Sequence, residues 1–127
     1  MKKVLWSLPL PAGCITRGVR LEERKGREIV LSFDYEEDDV EGTIRHCELK
    51  FQSVVHFRTT YLPALTLEMV STSYNDVVEL QSSDILSDVV VSMSEDVKPR
   101  NYKHYRITFD DGPCYDLIAS DFTWIIA

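Results

Sequence analysis

The sequence predicts a single α+β domain, residues 1–127, mostly antiparallel β-sheet of seven to eight strands with one short helix. Three observations predict it. Apolar and polar residues alternate with a period of two over much of the chain. Turn signals built from Gly, Pro, Asn and Asp separate those stretches. Only one stretch, entered through Ser82-Ser83, spaces its apolar residues for a helix. At 127 residues the chain has the length of one domain and can bury a core without disulfides or metal.

The first strand is Lys3–Leu8, followed by a Pro/Gly turn. Lys2-Lys3, the apolar run Val4–Leu8 and Cys14 also look like the start of a lipoprotein signal. Pro9 and Pro11 break the helical segment such a signal needs, so the strand is preferred. Leu21–Gly26 reads as a polar turn because Glu22-Glu23-Arg24-Lys25 is charged throughout. Arg27–Phe33 follows as a strand with Ile29, Leu31 and Phe33 on one face. Asp34, Glu36, Glu37, Asp38, Asp39 and Glu41 then form the densest acidic run, closed by Gly42 and read as a solvated hairpin loop.

Thr43–Arg58 is the longest extended candidate and is expected to be central. Cys47, Leu49, Phe51, Val55 and Phe57 share one parity and should face the core. The length calls for a bend or bulge near Ser53. Past Pro63, Ala64–Ser71 alternates through Leu65, Leu67 and Met69 and reads as a strand. Tyr74-Asn75-Asp76 is a turn and Val77–Leu80 a short strand. Ser82-Ser83 offers a helix cap, and Ile85, Leu86, Val89, Val90 and Met93 fall on one helical face. The run Val89-Val90-Val91 keeps a strand possible there. Glu95–Asn101 is a loop.

Tyr102–Phe109 and Cys114–Ser120 make the clearest hairpin. A three-residue loop Asp110-Asp111-Gly112, with Gly112 left-handed, pairs Tyr105 with Leu117, Ile107 with Tyr115 and Arg106 with Asp116. A two-residue loop would set Ile107 against Asp116, so the first register is expected. Phe122–Ile126 is a last strand.

Chemistry finds little support in the sequence, and no catalysis is expected. His46 and Cys47 are adjacent and point to opposite faces of a strand. His46 and His56 share a face but lie roughly 33 Å apart along it. Cys114, on the hairpin's polar face, is the one thiol with a plausible exposed setting. A calcium loop counted from Asp34 would need Gly at Asp39 and Glu at Arg45, so it fails. No phosphate-cradling loop, nucleophile elbow or dinucleotide fingerprint occurs, and no metal or cofactor is expected.

Charge is distributed unevenly. Residues 1–30 hold seven Lys/Arg and three Glu, whereas residues 31–97 hold three Lys/Arg and fourteen Asp/Glu. That middle would repel a phosphate backbone, which disfavours nucleic acid. It suits a basic protein partner, and the acidic run from Asp34 to Glu41 is the expected contact. The apolar stretches are too short and broken to span a membrane. Three cysteines with no C-x-x-C spacing fit free thiols in a cytoplasmic setting, with none bridged.

Two segments carry a family likeness. One is Lys103-His104-Tyr105-Arg106-Ile107-Thr108-Phe109-Asp110-Asp111-Gly112 with Cys114-Tyr115-Asp116-Leu117-Ile118-Ala119-Ser120-Asp121-Phe122. The other is Tyr74–Leu86, a Tyr, a short strand and a Ser-started helix. Together they cover about a quarter of the chain and resemble small bacterial immunity proteins encoded beside toxin genes. The resemblance implies a cytoplasmic protein that acts by binding a toxin, with no chemistry of its own. The rival expectations are a small enzyme with an unrecognised constellation and a module that self-associates through an uncovered sheet edge.

Overall fold

Two antiparallel sheets and a pair of helices carry the fold. The computed structural model describes residues 2–8, 15, 18–36, 43–93, 101–110 and 113–127. In chain order the elements are β1 (Lys2–Ser7), β2 (Arg20–Arg24), β3 (Glu28–Glu36), β4 (Ile44–Gln52), β5 (His56–Thr60), a 3₁₀ turn (Leu62–Ala64) and α1 (Leu67–Ser73). Then come β6 (Asp76–Leu80), α2 (Asp84–Ser92), β7 (Lys103–Thr108), β8 (Cys114–Ala119) and β9 (Asp121–Ile126). The fold is α+β as expected. Nine strands and two α-helices among the described residues exceed the seven to eight strands and one helix read from the sequence.

One sheet has the order β1-β6-β7-β8-β5 and the other β2-β3-β4-β9. Every strand pairing in both is antiparallel. Alternation sends Leu31, Phe33, Leu49 and Phe51 of the four-stranded sheet toward Val77, Tyr105, Ile107 and Leu117 of the five-stranded one, forming a single core cluster. Rings from the two sheets meet there: Phe33 lies 5.6 Å from Phe109 and Phe51 5.7 Å from Tyr105, centroid to centroid.

Thr43–Arg58 is not one central strand. β4 is interior to its sheet, with Leu49 and Phe51 fully buried as expected. Ser53 then takes a left-handed conformation, φ 53°. The extra turn reverses the side-chain parity. Val54 enters the core, while Val55 is only half-buried and Phe57 is exposed. The change of sheet shows in consecutive amides. Val54 N–H donates to Arg27 O at 2.8 Å, beside β3, and Val55 N–H donates to Ile118 O at 2.9 Å, in β8. The chain crosses back between β8 and β9, where Ser120 donates both its N–H and its hydroxyl to Gln52 O.

Two further expectations fail. Leu21–Gly26 is not a turn: Arg20–Arg24 pairs with Glu28–Ser32 as a charged edge strand, and the turn is Lys25-Gly26-Arg27. Charge on an outermost strand protects it from unwanted pairing, which is why it imitates a loop in the sequence. Ala64–Ser71 is not a strand. Thr66 caps a helix by accepting Met69 N–H at 3.1 Å, Glu68 sits in the first turn, and Leu67 is exposed. The second helix matches its reading closely: Ser83 caps it, and Ile85, Leu86, Val89, Val90 and Met93 are its half-buried face.

The hairpin register is the expected one: Tyr105 with Leu117, Arg106 with Asp116, Ile107 with Tyr115. Phe109 N–H donates to Pro113 O at 3.2 Å, closing the loop. Asp111 and Gly112 of that loop lie outside the described residues, as do Cys14 and residues 95–100 of the expected 95–101 loop.

Candidate docking face on the four-stranded sheet

The acidic run divides. Asp34 and Glu36 belong to β3, which corrects the reading of a loop that starts at Asp34. Glu37, Asp38, Asp39 and Glu41 lie outside the described residues. Asp34 and Glu36 project from the side of the sheet opposite the core, because their neighbours Phe33 and Tyr35 are core residues.

The cross-strand register builds that face row by row. Arg24 stands beside Glu28, Glu22 beside Val30 and Lys50, Arg20 beside Ser32 and Glu48, and Asp34 beside His46. β9 adds Asp121, Thr123 and Ile125 next to Gln52, Lys50 and Glu48. The face thus carries Glu22, Glu28, Asp34, Glu36, Glu48 and Asp121 against Arg20, Arg24 and Lys50. That leaves it net negative with His46 neutral. Ion pairs link its rows: Arg24 to Glu22 at 2.9 Å and Glu48 at 3.7 Å, Lys50 to Glu48 at 3.7 Å, and Arg20 to Asp34 at 3.9 Å. His46 Nδ1 sits 2.7 Å from Asp34 and its Nε2 3.4 Å from Glu48. Beside these charges Ile44 and Ile125 are each about half exposed. The face thus combines a charged lattice with apolar side chains open to solvent.

A second polar cluster lies on the far side of the molecule. His104, Arg106, Thr108 and Asp116 alternate with core residues and face α1 and α2. Asp116 is its hub. It accepts from His104 Nε2 and Arg106 Nε, each at 2.6 Å, and from Arg58 at 3.2 Å. Arg106 reaches Glu68 of α1 at 2.8 Å, and His104 Nδ1 lies 2.6 Å from Ser83 Oγ, the cap of α2. Burial alone would raise the Asp116 carboxyl, but the hydrogen bonds from His104 and Arg106 overcome it and hold it at about 2.

Ser83, His104 and Asp116 make a hydroxyl–imidazole–carboxylate chain, with a cleft of about 250 Å³ beside Ser83, His104 and Arg106. The same groups anchor the helices to the sheet. Ser83 Oγ already accepts Leu86 N–H at 3.0 Å. Two guanidiniums already neutralise the carboxylate that would have to stabilise an imidazolium. The cluster ties both helices to β7 and β8. It is not legible in the sequence, because Glu68, Ser83, His104 and Asp116 come from separated segments. Only the Arg106–Asp116 pairing in the hairpin register could have pointed to it, and that pair is buried.

The two thiols among the described residues are buried. Cys47 is buried as expected, and burial pushes its thiol up to about 12. Cys114 does lie on the polar face of the hairpin, between Thr108 and Thr60, but it is fully buried, which corrects its expected exposure. Burial raises that thiol to about 11. Both are free. No group of His, Cys, Asp and Glu among the described residues could hold a metal ion. No described helix is long and apolar enough to cross a membrane.

No protein-family model matches the chain, and neither a curated protein nor a solved structure is detectably similar to it.

Proposed function

We propose that this chain acts by binding a basic partner protein on the outer face of its four-stranded sheet. The specific form is a cytoplasmic immunity protein that neutralises a toxin by covering it. The observation that carries the reading is the net negative face built by Asp34, Glu36, Glu48 and their neighbours, with Ile44 and Ile125 exposed beside them. Complementary potential speeds encounter and selects a basic partner, and exposed apolar side chains supply the desolvated contact. The role needs no chemistry from the Ser83–His104–Asp116 chain.

Parallel capture tests it. Wild type and the triple variant Asp34→Asn, Glu36→Gln, Glu48→Gln are used as baits in lysate of the native host. A basic protein is expected on the wild type and not on the variant, and the purified pair should reconstitute. Equal capture by both baits would refute the docking face, and capture of nothing would refute the binding role.

A further inference from the structure

We infer that the free edge of β9 receives an extended segment of the basic partner as an added strand. The inference rests on the docking reading and specifies how the partner engages.

Among the described residues β9 is the last strand of its sheet. Ala127 and His46 exchange main-chain hydrogen bonds in both directions, at 2.9 and 3.1 Å. Antiparallel alternation then turns the N–H and C=O groups of Phe122, Trp124 and Ile126 away from β4, along the open edge.

The other three edges carry protection. β1 begins with Lys2-Lys3 and has a register shift between Val4 and Trp6. β2 presents Arg20, Glu22, Glu23 and Arg24. β5 is five residues long and carries His56 and Arg58. Charge, bulges and short length all discourage strand addition. β9 has six residues and one charge, Asp121, at its start, while Trp124, Ile125 and Ile126 are 48%, 49% and 41% exposed. Trp124 is also held ready. It stacks on Phe122 at 5.9 Å, and Phe122 lies 5.1 Å from the core ring of Phe51. A rigid exposed indole is a strong contact at low entropic cost.

The edge dictates what it would accept. Side chains of an added strand alternate between two faces. One row falls beside Trp124 and Ile126 and should be apolar. The other falls beside Asp121, Thr123 and Ile125, at the rim of the net negative face, and should carry Lys or Arg beside Asp121. A second copy of this chain would bring another acidic face alongside the first, so like charges oppose self-pairing.

The probe is a blocked octapeptide of alternating Val and Lys, added to the full chain at low salt and followed by amide NMR and Trp fluorescence. Binding should slow exchange of the Phe122, Trp124 and Ile126 amides. Trp124→Lys, and separately Ile126→Pro, which deletes an outward N–H and spares the β4 ladder, should each weaken binding about tenfold or more. Circular dichroism checks that both variants fold. Binding that shifts the acidic face yet ignores both β9 variants would overturn strand addition and leave the docking reading standing. No binding, or a dimer in sedimentation that Trp124→Lys abolishes, would also overturn it. Neither outcome bears on the docking face, which the capture experiment tests separately.

Discussion

Two His–Asp pairs occupy opposite sides of the molecule at nearly the same distance. His46 sits 2.7 Å from Asp34 on the open sheet face, with side chains 39% and 22% exposed. His104 sits 2.6 Å from Asp116 beneath the helices, with side chains 2% and 1% exposed. The outer pair shares its charge with water and with a lattice of neighbours. The inner pair cannot, so Arg106 and Arg58 converge on Asp116 and Glu68 closes over Arg106. Burial turns the same chemistry from a surface available to a partner into a joint that fixes the fold.

The largest effect should come from breaking the inner joint. Asp116→Asn removes the buried carboxylate shared by Arg106, Arg58 and His104, leaves Arg106 only the largely exposed Glu68, and should cost about 3–5 kcal/mol in urea unfolding. A loss under about 1 kcal/mol would mean that water reaches this cluster as it reaches the outer one. Next is the core that separates the two sides. Leu49→Ala should cost about 2–5 kcal/mol, whereas Phe57→Ala, exposed after the crossover, should cost far less. Equal losses would contradict the reversal of parity at Ser53.

Acid sharpens the contrast. Asp116 ionises below its ordinary value of 3.8, at about 2, so its contribution is complete above about pH 4 and is lost as pH falls through about 2. Wild type should therefore lose roughly 2 kcal/mol across that window beyond the loss seen in Asp116→Asn. Parallel acid limbs in the two proteins would contradict the buried ion pair. The smallest effect belongs to the outer lattice, where Glu48→Gln should change stability by less than about 1 kcal/mol.

These differences also mark what the sequence makes legible. Period-two alternation identifies β3, β4 and the β7–β8 hairpin, because one face of each meets the core. Loop geometry and apolar matching settle the hairpin register. The Ser83 cap and the Ile85–Met93 spacing identify α2. Where local pattern and tertiary setting diverge, the reading fails. β2 is charged because it is an edge. α1 is a helix of one and a half to two turns that buries little besides Met69 and Ser73, so its apolar residues carry no clear period. The inner cluster is invisible because a register predicts that Arg106 and Asp116 meet, and only the helices laid across them decide that they meet in the dry. The acidic run shows composition but not placement: Asp34 and Glu36 take their outward direction from the strand that carries them.

The most direct test of the docking account is the association rate of the captured partner across a salt series. Wild type is compared with the Asp34→Asn, Glu36→Gln, Glu48→Gln variant. Wild type should associate fast at low salt and lose rate steeply as salt rises, and the variant should show a slower, flatter dependence with unfolding stability nearly unchanged. Superimposable curves would show that the acidic face serves solubility and that the partner docks elsewhere.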